Sequence, residues 1–285
     1  MSAIIMMSRL LKITFLSFVL YLQANTGFAE ILPKNYSTDL QYKGRPIDTL
    51  CFYEIQSTEG FILLDKCGLE SEPNREITFT DNKFINQGYV GYNYIWTINE
   101  VESHGASYYK ILGKTKDNYY IIYTLNRSGG TGNFSSLYRI RREKNNRIHF
   151  HLIANGDRCN NGINSATIRN NQLTYFSNVT SADFFTLTSQ HMSDSKVLAD
   201  LSDCATCCVA TAKHESILNE KHFDSKLIWI DLTASNKQTD TDSENNSQNC
   251  FNQLFNSYLD RKIRFLNKKD VEKFVIEYNK QCIKN

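Results

Sequence analysis

The middle of the chain, from residue 50 to 180, alternates short apolar runs with polar breaks. The runs are rich in Tyr, Ile, Phe and Thr, and residues such as Gly, Asn and Asp separate them at short intervals. Aromatic and β-branched runs bounded by turn-forming residues are typical of strands. The pattern predicts strands at 89–98, 107–115, 118–125, 134–142, 147–154, 165–170 and 172–179.

The pattern changes after residue 180. Residues 181–187 begin with Ser and carry an acidic residue in the third position, which is typical of a short helical turn. Residues 196–212 place Val197 and Leu201 at helical spacing with two cysteines, although the stretch CCVATA also fits a strand. Residues 226–233 predict a late strand that closes the sheet.

The C-terminal part is helical in its pattern. Residues 234–249 are almost entirely polar and predict a solvated linker. Two apolar stripes at helical spacing follow, one from Cys250 to Leu259 and one from Val271 to Cys282. Asn267 and Asp270 are suitable cap residues between them. A helical hairpin with two apolar faces must cover something, and we expect it to cover one face of the sheet.

These elements predict a mainly β fold with α: an antiparallel β meander plus a C-terminal helical hairpin, stabilised by disulfides. The meander could form a barrel, a sandwich or a propeller-like sheet. The sequence lacks the strand–helix alternation that a parallel sheet requires. The predicted organisation is a signal peptide at 1–29, a β-rich domain at 30–233 with a short helical insertion near 181–212, a polar linker at 234–249, and a helical hairpin at 250–285 packed on the β domain.

The amino terminus has the composition of an export signal. Arg9 and Lys12 precede the apolar run 13–22, and small residues within 27–29 precede a cleavage point before Glu30. A retained membrane anchor would need about 20 apolar residues, and this run is shorter. We therefore expect a chain exported to the periplasm or the extracellular space, without stable membrane insertion after cleavage.

The charge changes the set of expected partners. The chain has 32 Lys and Arg and 30 Asp and Glu, and residues 1–29 hold two basic residues and no acidic ones. Cleavage would reduce the basic residues from 32 to 30, equal to the 30 acidic ones. A neutral chain has no long-range field to recruit nucleic acid, so we expect no nucleic-acid partner. The longest basic run, RIRRE at 139–143, fits a solvated edge strand.

The cysteines predict a disulfide framework, because an even number of them in an exported chain favours pairing. They are Cys51, Cys67, Cys159, Cys204, Cys207, Cys208, Cys250 and Cys282. Cys51 and Cys67 flank two apolar runs that a hairpin would bring together. Cys250 and Cys282 lie near the outer ends of the two C-terminal helices and would meet if these are antiparallel. Cys159 then remains with the CATCC group, whose CxxC would otherwise suggest zinc or redox chemistry.

Motifs for catalysis are absent from the sequence. No G-x-S-x-G or P-loop occurs, and HESIL has Leu218 where a zinc-protease helix has its second His. His149 and His151 would share one strand face, but the sequence indicates no third metal ligand. We therefore expect no catalytic set, no metal and no cofactor.

Two loops form the strongest candidate site. SGGTG at 128–132 and NGDRCNNG at 155–162 follow alternate strands of the meander, so antiparallel pairing would place both at one sheet edge. The candidate binding residues are Ser128, Gly129 and Gly130 in the first loop, and Asp157, Arg158, Asn160 and Asn161 in the second. Rigid polar loops often present a binding surface, and a Cys159 disulfide would stiffen this one. The same residues also suit two consecutive turns.

Two hypotheses about function follow. The first is an exported, non-enzymatic binding protein, such as an inhibitor, an immunity-type partner of a toxin or an envelope accessory protein. Its partner would be a protein or an envelope component. The alternative is an exported hydrolase that uses Asp157 with His104, His149 or His151, which requires an Asp–His pair in a cleft.

Overall fold

The computed structural model describes residues 36–53, 55, 57–69, 75–130, 132–157, 162–187, 200–203, 206–218, 225–234 and 246–283. The predicted signal peptide, most of the predicted linker, Cys159 and Cys204 lie outside these ranges.

A seven-stranded antiparallel sheet, the large sheet, dominates the fold. Its strands are β3 (Glu59–Leu63), β4 (Arg75–Phe79), β5 (Tyr89–Ile98), β6 (Val101–Lys114), β7 (Tyr120–Ser128), β8 (Phe134–Arg142) and β9 (Arg147–Gly156). Strands β4 to β9 follow one another as neighbours, and β3 pairs with β9 at the far edge. The predicted antiparallel meander is therefore confirmed.

Five further strands form the second sheet, and two form a small hairpin. The second sheet contains β10 (Ile163–Arg169), β11 (Gln172–Thr180), β12 (Cys208–Ile217), β13 (Lys226–Asp231) and β14 (Phe265–Leu266), and the hairpin contains β1 (Gln41–Tyr42) and β2 (Arg45–Pro46). Neighbouring strands of the second sheet are antiparallel and follow chain order. Both larger sheets are open, so layered sheets are formed rather than a closed barrel.

Pairs of residues with positive φ form the tight hairpins. Asn99 and Glu100 alone join β5 to β6 with φ angles of 50° and 65°, and Asn170 and Asn171 alone join β10 to β11 with 49° and 63°. Two successive residues with positive φ are the requirement of the two-residue hairpin turn that matches strand twist, and Asn tolerates this region. These turn residues explain why the strand boundaries could be read from the sequence.

The helices are α1 (Leu50–Tyr53), α2 (Asn82–Asn86), α3 (Asp183–Thr186), α4 (Asn246–Asp260) and α5 (Lys268–Cys282). The predicted short helix after residue 180 corresponds to α3, and the predicted C-terminal hairpin to α4 and α5. Asn267 and Asp270 form a capping box at the start of α5, which satisfies backbone N–H groups that have no partner within the helix. Helix α4 begins inside the segment predicted as a linker.

The stretch that begins at Cys208 is a strand, which was the alternative to a helix at 196–212. Side chains of β12 at Ala210, Ala212, His214 and Ser216 are all buried. Burial of every second residue has the period of a strand, and β12 pairs with β11 along its length and with β13 from Thr211 to Glu215. The helical spacing that ends at Cys208 is overridden by this pairing.

The helical hairpin packs on the second sheet and forms an apolar core with it. The fully buried rings of Phe251 and Phe255 on α4 and Phe274 on α5 surround Phe184 of α3. Val209, Ile230 and other residues of β12 and β13 join the same cluster. The two apolar stripes of the sequence are therefore the faces that the hairpin buries.

Both faces of the large sheet are covered over part of their area. The second sheet packs on one face, where Ile121 and Leu137 meet Leu173 and Tyr175. The N-terminal cover, which we define as residues 36–53, packs on the other face through Leu40, Ile47, Phe52 and neighbouring apolar side chains. Central strands of the large sheet are consequently buried on both sides.

Two of the predicted disulfides are confirmed. Cys51 pairs with Cys67 at a Cα separation of 5.0 Å, and Cys250 pairs with Cys282 at 5.8 Å. The expected hairpin around the first pair is wrong, because Cys51 lies in α1 and the strand before Cys67 pairs with β9 instead. Cys207 and Cys208 each take part in a disulfide as well.

The basic run at 139–143 is not the solvated edge that its charge suggested. Strand β8 lies between β7 and β9, and Arg139 is only 8% exposed. The guanidinium of Arg139 binds the Asp117 carboxylate and lies 3.7 Å from the Tyr119 ring centre. Aromatic stacking and a long apolar stem allow Arg to occupy such a position.

Burial of His214 makes the stability of the protein sensitive to acid. Its ring stacks on the ring of Tyr175 with 4.7 Å between ring centres, and its Nε2 lies 3.0 Å from the Ser177 hydroxyl. Burial lowers the pKa of His214 from 6.5 to about 4. Because the unfolded chain takes up this proton near pH 6.5 and the folded protein resists it, the stabilisation is complete above pH 6.5 and is lost towards pH 4.

Between pH 7 and pH 4.5 we expect this group to cost about 2 to 3 kcal/mol of unfolding free energy. Urea titrations of the wild type and His214→Gln at both pH values measure it, since the pH dependence should be smaller in the variant. The exposed His104, replaced in His104→Gln, is the matched control and should behave as the wild type. Equal pH dependence in His214→Gln and the wild type would contradict the assignment.

Candidate functional site

The topology brings the ends of two alternate strands to one edge of the large sheet. Strand β7 ends at Ser128 and β9 ends at Gly156, with the antiparallel β8 between them. In the register, Asn126 faces Phe134, and Ser135 faces Gly156. Both loops singled out in the sequence therefore start from the same edge.

A cleft of about 270 Å³ lies beside this edge. We call it the Asp157 cleft; its walls include Tyr53, Asn126, Phe134, Ser136, Tyr138 and Asp157. Strands β7, β8 and β9 supply one side, and α1 of the N-terminal cover supplies the other. The site thus combines chain segments that are about a hundred residues apart in sequence.

The base of the second loop is held at fixed points. A Cβ placed on Gly156 would lie 3.1 Å from the Cα of Gly162, which has a φ of +62°, so glycines allow the two backbones to approach. The backbone N–H of Ile163 donates to the Ser135 hydroxyl at 2.8 Å. The Tyr123 hydroxyl donates to the Ile163 carbonyl at 2.6 Å. The loop therefore leaves and rejoins the sheet at anchored positions.

Asn126 is positioned by a chain of buried hydroxyl groups. The Ser107 hydroxyl donates to Asn126 Oδ1 at 2.6 Å and accepts from the Thr49 hydroxyl at 2.8 Å. All three side chains are buried, where hydrogen bonds are favoured by the low local dielectric. These hydrogen bonds connect the N-terminal cover to the wall of the Asp157 cleft across one face of the large sheet.

The cleft presents a carboxylate, amides, hydroxyls and aromatic rings. The polar groups belong to Asp157, Asn126, Asn155, Ser136, Tyr53 and Tyr138. Burial raises the pKa of Tyr138, so its phenol remains a neutral hydrogen-bonding group. Among the described residues that line the cleft, none carries a positive charge. A carboxylate beside aromatic rings favours a cationic or hydrogen-bond-donating group.

The first loop turns away from Asp157. Gly129 has a φ of +100°, and a Cβ there would lie 3.0 Å from the Cβ of Ser103 on β6. Ser128 pairs with Gly105, also on β6. Ser128, Gly129 and Gly130 share the sheet edge with Asp157 but are not among the residues that line the cleft. Arg158, Asn160 and Asn161 lie outside the described residues.

The sheet register separates Asp157 from the histidines. His149 and His151 lie within β9 and face Glu59, with contacts of 3.2 Å and 3.8 Å. Asp157 follows His151 by six residues, which is about 20 Å along an extended strand. His104 lies on β6, three strands from β9, or about 14 Å across the sheet. The structure does not bring Asp157 within hydrogen-bond reach of these side chains.

In the part of the chain that the structure describes, no group of three His, Cys, Asp or Glu side chains is arranged to hold a metal ion. Over the same residues, no helix combines the length and apolarity needed to cross a membrane.

The sequence pattern does not predict the other walls of the cleft. It places Tyr138 in a strand and Asn126 directly after one, and it connects Tyr53 with neither. One signal was present: Thr124 and Asn126 continue the face of β7 that carries Tyr120 and Ile122. Polar residues on an apolar strand face indicate a buried hydrogen-bond network or a site.

Comparisons of the chain with family models, with curated proteins and with solved structures found no match.

Proposed function

We propose that the protein is an exported, non-enzymatic binding protein that recognises a protein or another envelope component. The observation that carries this proposal is the Asp157 cleft, an acidic and aromatic recess on an anchored sheet edge. The disulfides are compatible with an oxidising compartment. An inhibitor, an immunity-type protein or an envelope accessory protein would each use such a surface.

The chemistry of the cleft favours a basic side chain of the partner as the anchor. A guanidinium or ammonium group would lie against the rings of Tyr53 and Phe134, beside the Asp157 carboxylate, which also has an interaction within the protein. Phe134 is 41% exposed, so its ring is accessible at the rim. Interfaces bury about 800 Å² per partner, and a few anchors, often Arg or aromatic residues, carry most of the affinity. The cleft would hold one such anchor within a larger contact.

The hydrolase alternative has no comparable support. Its acid–base pair requires Asp157 close to a histidine, and strand geometry places His104, His149 and His151 elsewhere.

Site-specific crosslinking tests the proposed recognition surface. With p-benzoylphenylalanine at position 134, illumination of the envelope fraction should give a discrete adduct. Asp157→Lys should reduce its yield about tenfold, because the charge of the anchor site is reversed. Adducts are measured by gel shift and mass spectrometry.

Two controls separate charge recognition from general stickiness. Asp65→Lys makes the same charge change at an exposed turn outside the cleft, and the adduct should persist. The crosslinker at position 79 replaces another exposed Phe, on the edge strand β4, four strands from β8, and should not give the adduct. An adduct that survives Asp157→Lys, or forms equally from position 79, would refute the proposal.

A further inference from the structure

Strand β3 is an edge of the large sheet, and in the part of the chain that the structure describes it pairs only with β9. Thr58 and Leu64, which flank β3, form backbone hydrogen bonds with Leu152 and with the turn before β9. Hydrogen-bonded pairs alternate along an antiparallel ladder, so the even-numbered residues between them also bond to β9. The backbone groups of the odd-numbered residues point outward, and these residues are Glu59, Phe61 and Leu63.

The outward N–H groups of β3 have no partner among the other described segments. Two of the outward carbonyls are engaged close by in sequence. The Glu59 carbonyl accepts from the Ser57 hydroxyl at 3.3 Å, and the Leu63 carbonyl accepts from the Lys66 N–H at 3.0 Å. The three N–H groups and the Phe61 carbonyl remain for a further strand. Such a row of backbone groups is a template for pairing with another chain.

The side chains at this edge are apolar and exposed. Phe61 is 51% exposed and Leu63 is 39% exposed, and they lie opposite His149 and Arg147 of β9. Natural edge strands are usually protected by charged side chains, proline or a covering element. Within β3 only Glu59 is charged. An edge of this composition favours the addition of a strand.

Opposite charges lie at the two ends of the edge. At one end, the guanidinium of Arg147 lies 3.8 Å from the ring centre of Phe61. The Glu143 carboxylate in the same region binds Arg141 at 2.8 Å. At the other end, the Glu59 carboxylate lies beside the two histidines of β9, and its side chain is 58% exposed. A strand that runs in the reverse direction with the same two charges would therefore be complementary.

A second copy of β3 is such a strand. Antiparallel pairing centred on Phe61 places the two Phe61 rings side by side and sets Glu59 of each copy opposite Leu63 of the other. Arg147 is the neighbour of Leu63 on β9. Glu59 of one copy would thus lie two strand spacings from Arg147 of the other, or about 10 Å between Cα atoms. Two long side chains span this separation, and the twofold axis repeats the ion pair.

We propose that two copies of the protein associate through β3, whose antiparallel pairing joins their large sheets across a twofold axis. Backbone hydrogen bonds at Phe61, the contact of the two Phe61 rings and two ion pairs between Glu59 and Arg147 hold the copies together. A five-residue edge buries less than the standard area of about 800 Å² per partner, so the association is weak. No residue of β3 lines the Asp157 cleft, and the proposal does not depend on the function of that cleft.

Reversal of the charges tests the register. Sedimentation velocity of the wild type from micromolar to millimolar concentration should show a monomer that becomes a dimer. Glu59→Lys and Arg147→Glu should each weaken dimerisation about tenfold, because each sets like charges against each other. The variant that combines both substitutions restores the attraction and should recover most of the wild-type dimerisation.

A control and a contrary outcome complete the charge test. Lys269→Glu makes a charge reversal at an exposed position of α5 and should dimerise as the wild type does. A combined variant that dimerises no better than the single variants would overturn the proposed register.

Proline at an outward position tests the backbone hydrogen bonds. Leu63→Pro removes an outward N–H but no ladder bond to β9, which is where an edge strand tolerates proline. Leu63→Ala shortens the same side chain and keeps the N–H. We expect Leu63→Pro to dimerise about tenfold more weakly than Leu63→Ala. Equal dimerisation of the two variants, with melting temperatures that show both to be folded, would overturn the pairing.

Amide hydrogen exchange in the wild type keeps the test independent of variant folding. In the dilute monomer the Phe61 amide should exchange faster than the Ile62 amide, which bonds to β9. At millimolar concentration, exchange at Phe61 should become about tenfold slower. A Phe61 amide protected at every concentration would mean that its own molecule covers the edge. Rapid exchange at every concentration would mean that no second copy pairs there. Either result overturns the proposal.

Discussion

Replacing Phe274 by Ala should lower the free energy of unfolding by about 4 kcal/mol. Phe274 is fully buried on α5, and its ring lies 5.1 Å from Phe184, 5.4 Å from Phe251 and 5.2 Å from Tyr258 between ring centres. The substitution removes the apolar contact and leaves a cavity, because rings held on α3 and α4 cannot all move inward. Equilibrium denaturation in guanidinium chloride measures the loss.

Helix α5 offers its own control. Ile276 lies two residues along the same helix and is 52% exposed, so Ile276→Ala should change the unfolding free energy by less than about 0.5 kcal/mol. Both substitutions place Ala in a helix, so the difference between them isolates the core contribution. A loss below about 1 kcal/mol for Phe274→Ala would mean that the aromatic cluster is not a packed core.

Removal of the Cys250–Cys282 disulfide should cost about 4 kcal/mol, from the loop-closure entropy of a bond that spans 32 positions. The bond ties the second turn of α4 to the last residue of α5 and restricts the unfolded chain. The double variant Cys250→Ser with Cys282→Ser avoids leaving a reactive thiol. Its stability is measured by denaturation without reductant.

The second disulfide provides a matched comparison. Cys51→Ser with Cys67→Ser removes a bond that spans 16 positions, so the same entropy argument gives a smaller loss of about 3 kcal/mol. A larger loss at this pair than at the helical hairpin would contradict the loop-length argument. It would show that the Cys51–Cys67 bond acts through native contacts of the N-terminal cover.

The strands were predictable where local rules and long-range pairing agree. The predicted strands 89–98 and 134–142 coincide with β5 and β8, because aromatic and β-branched runs end at turn-forming residues. The helix within the N-terminal cover could not be predicted in the same way. The stretch around Cys51 has strand composition, yet Leu50–Tyr53 is helical, because Asp48 accepts the Leu50 N–H and the chain packs across the sheet. Such tertiary contacts override local propensity.

The candidate site was predictable only in part. Counting antiparallel strands correctly placed the loop of Asp157 at the same edge as that of Ser128. The residues that line the cleft together with Asp157 come from α1, β7 and β8, and no spacing in the sequence brings Tyr53 to Asn126.

The pairing of β3 with β9 imposes an order on the folding of the large sheet. Glu59 meets His149 across 90 positions of sequence, so β3 has no neighbour to pair with until β9 is in place. The meander from β4 to β8 can close by local hairpins as it emerges, whereas β3 waits for the last strand of its sheet. Strand β3 lies early in the chain and is thus among the last strands to be paired. The apolar side chains of the N-terminal cover, which precedes it, must stay shielded until the large sheet is complete.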